Sequence, residues 1–300
     1  MSRSNKIQTR EEKIGNVVIN AVLILFSVLC AGAFVLVLSA SFQSQSEISH
    51  MGYSIFPRKI SLEAYKIVLA NPRSIIDSYA ITILTTLIGT VGGLWLSSTC
   101  GYVMSRRDYP YRNWIALYIF FTMLFNGGLV PGYILVTRWL NIKNTIWALI
   151  LPSLISPWYI MLMKSFFFGV PEALIESAKL DGASELTIFV RIVLPISKPV
   201  MASVGLFYVL SFWNSWFPSL LYSESPKLYT LQYLLINVLK NTEFLNSEEA
   251  VMLGFASGGE APTLNVRMAM CVLAAGPILI VFPFFQKYFT KGVTVGAVKG

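Results

Sequence analysis

The chain has 300 residues, of which 55% are hydrophobic and only 13% are charged, and its mean hydropathy is +0.64. A soluble domain carries charge on roughly a quarter of its residues, so this composition excludes an ordinary soluble globule and indicates an all-α integral membrane protein. The formal net charge of +8 would suggest a nucleic-acid partner in a soluble chain, but membrane topology must account for it first. The three cysteines lie in apolar stretches without metal-site spacing, which predicts neither a disulfide framework nor a zinc site.

Six apolar stretches are long enough to cross a bilayer as helices, and none contains Asp, Glu, Lys or Arg. A spanning helix needs about 20 mostly apolar residues, because hydrocarbon offers no water to unpaired backbone groups. The first stretch is too long for the apolar region of a cleaved signal, so we interpret it as a retained anchor. The predicted transmembrane domain is 17–289, flanked by segments 1–16 and 290–300, with spans at 17–42, 78–104, 114–137, 145–163, 199–223 and 268–286.

The distribution of basic residues sets the expected orientation. If the N-terminus is cytoplasmic, 14 of the 23 Lys and Arg residues fall in inner segments and nine in outer ones. Cytoplasmic loops are enriched in Lys and Arg, so we expect both termini in the cytoplasm. This topology accounts for the net charge, and no nucleic-acid partner is predicted. The inner segments are then 1–16, 105–113, 164–198 and 287–300.

Two predicted outer segments are long. Residues 43–77 contain a turn at Phe56-Pro57 and a short amphipathic stretch from Ser61, and residues 224–267 are polar, acidic and glycine-rich around Ser257-Gly258-Gly259. Two interpretations remain open for them, a surface that receives an outer partner or ordinary connecting loops.

The inner segment at 168–198 carries the most information. Pro171-Glu172 is a helix-start signal and Asp181-Gly182 a stop, so the segment predicts two short helices joined by a turn. The first presents the small residues Ala173, Ser177 and Ala178, and the second begins near Ser184 with Ile188 and Phe189 on one side. An apolar helical face outside the bilayer suits docking in a groove on another protein.

The run PEALIESAKLDGA at 171–183, followed by Phe189, Ile192, Leu194-Pro195 and Pro199, resembles the EAA loop of permease subunits of binding-protein-dependent ABC importers. Ser177 stands where the commonest form of that loop has alanine. The resemblance implies a type I ABC importer permease fold with six transmembrane helices. It also implies that contact with the ATP-binding subunits belongs to Glu172, Glu176, Ser177, Ala178, Asp181, Gly182, Ala183 and Phe189.

Further similarity concerns the transported solute. The ending KYFTKGVTVGAVKG at 287–300 is similar to that of carbohydrate permeases of the maltose and multiple-sugar type. The runs FNGGLVP at 125–131 and FPFFQKY at 282–288 resemble the subgroup for polysaccharide or complex oligosaccharide uptake. The implied partners are a second homologous permease as a heterodimer, two ATP-binding subunits that hold ATP and Mg, an extracytoplasmic solute-binding protein, a carbohydrate and membrane lipid. The implied location is a prokaryotic inner or plasma membrane, crossed several times.

Two groups of residues inside the spans stand out. Gly89, Gly93, Ser97 and Gly101 recur every four residues, which predicts a stripe for close helix packing. In the fifth span, Trp213, Asn214 and Trp216 combine an amide with aromatic rings, which suits sugar hydroxyls and C–H faces. The alternatives for this group are an interfacial aromatic belt and a helix-packing amide. Asn126 in the third span is a further candidate for the substrate pathway.

The residue types that are missing from the sequence separate the remaining classes of protein. The sequence has no Gly-Lys-Ser/Thr phosphate loop, and its single histidine and uncharged spans predict no catalytic, cofactor-binding or metal site, so we do not expect an enzyme. Coupling ions in a secondary carrier usually need ionisable groups within the membrane. The predicted function is therefore a permease subunit of an ATP-driven carbohydrate importer. The alternative is an ion-coupled secondary carrier or a channel that acts without an ATPase.

Overall fold

The computed structural model describes residues 10–70, 72–245 and 264–296, with side chains for 13–70, 72–241 and 264–284. Within these ranges the regular structure is helical and contains no strand, which confirms the all-α prediction. The chain divides into two compact units. The first is Met1–Ala70 with Leu239–Leu273, and the second is Asn71–Val238 with Ala274–Gly300.

Most of the described residues belong to helices. In chain order these are α1 (Arg10–Ala40), α2 (Gln45–Met51), α3 (Glu63–Val68), α4 (Pro72–Ser105), α5 (Arg112–Leu124), α6 (Leu129–Ile134), α7 (Ile146–Ile150), α8 (Pro157–Phe168), α9 (Glu172–Leu180), α10 (Glu185–Ile188), α11 (Leu194–Ile196), α12 (Lys198–Trp213), α13 (Phe217–Tyr222), α14 (Leu231–Leu245) and α15 (Leu264–Gly296). Short π-helical turns at Leu135–Trp139 and Phe189–Val193 and 3₁₀ turns at Leu151–Ser153 and Pro226–Leu228 connect them.

Three helices are individually long and apolar enough to cross a membrane: Lys13–Ala40, Pro72–Ser105 and Leu264–Phe284. Three further pairs reach that length only together, and each pair is bent. Arg112–Leu124 meets Leu129–Trp139 at 112°, Ile146–Ser153 meets Pro157–Phe168 at 51°, and Glu185–Ile196 meets Lys198–Trp213 at 85°. The described residues thus hold three spans, or up to six if each bent pair crosses once.

The third and fourth predicted stretches are therefore bent, whereas the 85° bend lies before the fifth stretch, which has an interruption of its own. The third is broken after α5, where Gly128 has φ 88° and the Asn126 side chain accepts its N–H at 2.8 Å. The fourth is interrupted before Pro157, which begins α8, because proline lacks the N–H that would continue the helix. In the fifth, α12 stops at Trp213 and α13 begins at Phe217. Apolar length identified these stretches but did not show that they are interrupted.

Further differences concern the predicted connecting and terminal segments. The predicted outer segment at 224–267 contains α14, a 15-residue helix of mixed apolar and polar residues, which the polar character of the segment as a whole concealed. The predicted turn at Ser257-Gly258-Gly259 lies outside the described residues. At the end of the chain, α15 continues to Gly296, into the segment predicted as a tail.

In the first unit, hydrogen bonds that involve amide side chains join the start of α15 to the segment after α1. Gln43 and Asn265 are both fully buried. The Gln43 carbonyl accepts a hydrogen bond from Asn265 at 3.4 Å, and the Gln45 side chain accepts the N–H of Leu264 at 3.1 Å. These bonds hold the start of α15 beside the segment that follows α1. The apolar side chains of α1 are exposed along its length, which suits contact with lipid or another subunit better than contact with water.

In the second unit, α4 packs closely against α8 and α12 through the predicted small-residue stripe. A Cβ on Gly89 would overlap the Phe212 ring, and a Cβ on Gly101 would lie 2.7 Å from Met163. The Ser97 hydroxyl is 2.7 Å from the Tyr208 hydroxyl on α12. Close backbone approach and interhelical hydrogen bonds are the main sources of helix association in membranes. The packing interpretation of the stripe is confirmed.

We expect Gly93→Ala to destabilise the second unit, because its Cβ would lie 2.6 Å from the Tyr208 ring and 2.9 Å from the Leu154 carbonyl oxygen. Overpacking of this kind costs about 1–3 kcal/mol. The neighbouring change Gly92→Ala is the matched control, because it meets only a flexible Leu154 methyl carbon at 3.1 Å. Thermal unfolding in detergent should show a lower midpoint for Gly93→Ala alone. Equal losses for the two variants would contradict the packing role.

Candidate functional site

The inner segment at 168–198 folds into the predicted pair of short helices, α9 and α10. Helix α9 ends in a Schellman motif, in which Gly182 donates to the Lys179 carbonyl at 3.0 Å and Ala183 to the Ala178 carbonyl at 2.9 Å. Gly182, part of the predicted stop, has φ 78°, a left-handed conformation that glycine adopts without strain. Helix α10 begins at Ser184, whose side chain accepts the N–H of Thr187 at 3.3 Å. The two capping interactions mark where α9 ends and where α10 begins.

The predicted contact residues divide between two sides of this pair. Ala178 and Phe189 are buried in the core of the second unit, together with Ile175 and Ile188, and Ala183 is half-buried against them. They anchor α9 and α10 and are not available to a partner. The exposed ones are Glu172, Glu176, Ser177, Asp181 and Gly182.

The exposed face of α9 consists of Ala173, Leu174, Glu176, Ser177 and Leu180. Leu180 is 89% exposed at the tip of the helix. Glu172, at the start of α9, lies 3.7 Å from the Arg107 guanidinium, and that guanidinium stacks over the Phe168 ring at 5.1 Å. This face is small and largely apolar, and it stands outside the predicted bilayer.

A network of charges holds this pair of helices to the inner end of α4. Lys179 Nζ is 2.7 Å from Asp108 Oδ2 and 2.7 Å from Glu185 Oε1. Arg106 donates to both carboxylate oxygens of Asp108, at 3.1 and 2.8 Å, and the Tyr102 hydroxyl donates to Glu185 at 2.7 Å. We call these five residues the Lys179 network. The sequence predicted that the segments of Asp108 and Lys179 lie on the same side of the membrane. These two residues are 71 positions apart, however, and the sequence does not indicate that they form an ion pair.

The network is charged at neutral pH. Hydrogen bonds from Lys179 and Arg106 lower the pKa of Asp108 from 3.8 to about 2. Hydrogen bonds to Asp108 and Glu185 raise the pKa of Lys179 above 10.5. The contribution of Asp108 is therefore present above its ordinary pKa and is lost as the pH falls towards 2. That of Lys179 is present below 10.5 and is lost at higher pH.

The predicted pathway residues lie near the end of α12 and at the break after α5. Trp213 is buried, and its indole N–H donates to the Ala274 carbonyl at 3.0 Å. Asn214 is exposed and donates to the Leu210 carbonyl of its own helix at 2.9 Å. Trp216 is 38% exposed and packs edge-on against Phe217. Asn126 is exposed and caps the turn at Gly128.

In the second unit, apolar helices pack on the small-residue stripe of α4, and a capped helix pair lies beyond the inner end of that helix, as expected for a membrane subunit. Residues 67–295 match the family of binding-protein-dependent transport system inner membrane components. The chain belongs to this family.

Known relatives and a solved structure agree with this assignment. The chain is 35% identical over 290 residues to the polygalacturonan/rhamnogalacturonan transport system permease protein YtcP of Bacillus subtilis strain 168, covering 97% of this chain and 100% of that one. It is 38% identical over 267 residues to the protein LplC of the same strain, covering 89% and 88%. A crystal structure of a bacterial ABC transporter involved in the import of the acidic polysaccharide alginate matches with TM-score 0.78 and 26% identity, covering 95% and 100%. These matches confirm the resemblance to ABC importer permeases.

We expect Gly182→Val to loosen the end of α9, because a β-branched residue is strained at φ 78° by about 1 kcal/mol or more. No atom lies within 4 Å of the added Cβ, so steric contact is not the cause. Gly182→Asn is the matched control, since asparagine tolerates this conformation better. Hydrogen exchange at the amides of 181–183 should speed up for Gly182→Val and much less for Gly182→Asn. Equal protection in the two variants would contradict the capping role.

Proposed function

We propose that the chain is the transmembrane permease subunit of an ATP-driven carbohydrate importer. It forms half of the solute pathway and couples to the ATP-binding subunits through the exposed face of α9. The observation that carries the proposal is the division of α9 into an anchored side, with Ile175 and Ala178 buried, and a free side that ends in Leu180.

The exposed face of α9 suits a groove on a partner protein. Small residues such as Ala173 and Ser177 let another backbone approach closely, and the largely exposed Leu180 offers an apolar anchor. The Schellman motif fixes where that anchor points. Because the sequence has no phosphate loop, ATP and Mg belong to the two partner ATP-binding subunits.

We propose six spans with both termini in the cytoplasm of a prokaryotic inner or plasma membrane. Two contacts support this topology, because each joins two segments that are predicted to lie on the same side of the membrane. Asp108 and Lys179, from segments predicted to be inner, form an ion pair. Asn144 and Glu224 lie where outer segments are predicted, and the Asn144 side chain accepts the N–H of Glu224 at 3.1 Å.

The proposed solute is an oligosaccharide or a polysaccharide fragment, as the names of the relatives suggest. In the proposed pathway, Asn126 and Asn214 supply amides and the exposed Trp216 supplies aromatic surface, while the buried Trp213 supports the end of α12 through its bond to Ala274. The side-chain oxygen of Asn214 accepts a long hydrogen bond from Gln232, at 3.4 Å, whereas that of Asn126 accepts one from Gly128 at 2.8 Å. The Asn214 oxygen is therefore the more available of the two to accept a hydrogen bond from a sugar hydroxyl. The further partners are a second homologous permease, forming a heterodimer, and an extracytoplasmic solute-binding protein.

We expect Glu176→Lys to uncouple transport, because it reverses a charge on the exposed face of α9 without touching the core. Surface changes of this type rarely alter stability by more than about 0.5 kcal/mol. Glu63→Lys is the matched control, since Glu63 is also exposed on a short helix but lies in a predicted outer segment. Sugar uptake, ATPase activity and copurification of the ATP-binding subunits should change only for Glu176→Lys. Unaltered values for both variants would contradict coupling through α9.

A further inference from the structure

We propose that Lys179 is a positioning residue, whose ion pairs with Asp108 and Glu185 hold α9 and α10 to the loop after α4 so that these segments move together. The proposal rests on the coupling role proposed for α9. It concerns how motion received by the exposed face of α9 reaches the membrane helices. Lys179 is exposed on α9 but lies beside Ile175, outside the set of residues that forms the exposed face.

The geometry gives Lys179 a place that no other member of the network has. Its ammonium group lies 2.7 Å from a carboxylate on the loop after α4 and 2.7 Å from a carboxylate on α10, while its own backbone is in α9. Arg106 orients Asp108 through two hydrogen bonds, and Tyr102 of α4 orients Glu185 through one. A single side chain thus connects three separate segments of the chain.

The apolar contacts of α9 do not by themselves fix its orientation on the core. Its buried residues are Ile175 and Ala178, one turn apart on the same side. The contacts of these two side chains hold α9 against the core. They only weakly resist rotation of the helix about the line that joins them. Lys179 adds a third contact away from that line, next to the capped end that presents Leu180.

Helix α10 is attached to α4 independently of Lys179. The Tyr102 ring lies 5.0 Å from the ring of Phe189, which directly follows α10, and Phe189 also packs edge-on against Trp95 of α4 and Phe167 of α8. Loss of the Lys179 charge would therefore weaken the resistance of α9 to rotation, while its buried residues keep it on the core and α10 stays in place. Because exposed ion pairs contribute little to global stability, the expected defect is loss of coupling without unfolding.

The test uses the complete transporter in lipid vesicles and compares Lys179→Met with Lys179→Arg. Methionine keeps most of the length but removes the charge, and arginine keeps the charge. We expect Lys179→Met to reduce the amount of sugar moved per ATP hydrolysed several-fold, with normal thermal stability and normal recovery of the ATP-binding subunits. Lys179→Arg should retain most of the coupling. An unchanged ratio for Lys179→Met, or loss of the ATP-binding subunits from it, would overturn the positioning role.

A second experiment tests whether the joined segments move together. In a background without Cys30, Cys100 and Cys271, the double variant Asp108→Cys with Lys179→Cys should be uncoupled, because both charges of the pair are gone. A short bifunctional maleimide that links the two cysteines should restore transport. If the link leaves the variant uncoupled or blocks transport further, the segments must separate during the cycle and the proposal fails.

Glu176→Lys in the same vesicles separates this proposal from the proposed function. If Glu176→Lys is uncoupled while Lys179→Met is normal, the positioning role fails and coupling through α9 stands. If both variants are normal, coupling through α9 fails as well.

Discussion

The close approach of α4 to its neighbours is the constraint on which the second unit depends. Gly89, Gly93 and Gly101 leave no room for a side chain, so the Phe212 and Tyr208 rings of α12 and the start of the Met163 side chain of α8 rest directly on the α4 backbone. In a bilayer this packing has to replace the hydrophobic driving force that assembles soluble cores. The same helix ends at Ser105, one turn beyond Tyr102, and therefore also fixes the part of the Lys179 network that lies nearest the membrane.

This arrangement suggests how a chain with uncharged spans takes part in driven transport. The predicted spans contain no Asp, Glu, Lys, Arg or His, the residues on which ion coupling usually depends. In the proposed function, movement enters mechanically at the inner end, through the exposed face of α9, whose opposite side is buried in the core of the second unit. The family assignment agrees with this division, because it describes an inner membrane component of a binding-protein-dependent transport system. In this proposal, the exposed small residues of α9 contact the ATP-binding subunits. The buried small residues of α4 contact the neighbouring membrane helices, to which the movement is transmitted.

Local signals in the sequence predicted local structure well. Pro171 and Gly182 marked the ends of α9 because both act through the backbone of a single turn. The four-residue spacing of the glycines on α4 predicted its packing face, since that spacing places them on one side of any helix. The breaks near Asn126 and Pro157 carried glycine and proline signals of the same type, which the apolar length of the stretches outweighed. Helix α14 was missed because the polar and glycine-rich character of segment 224–267 as a whole outweighed the apolar residues of Leu231–Leu245. The Lys179 network could not be predicted, because it depends on tertiary contacts between distant segments.

The most direct measurement of the proposed function is solute uptake by vesicles that contain the chain, its partner permease and two ATP-binding subunits, with the solute-binding protein and labelled oligosaccharides outside. Uptake should require ATP with the ATP-binding subunits, and hydrolysis should rise when the loaded binding protein is added. Proton or sodium gradients alone should drive no uptake. Oligosaccharide uptake driven by such a gradient, in vesicles that lack ATP and the ATP-binding subunits, would contradict an ATP-driven permease and support an ion-coupled carrier.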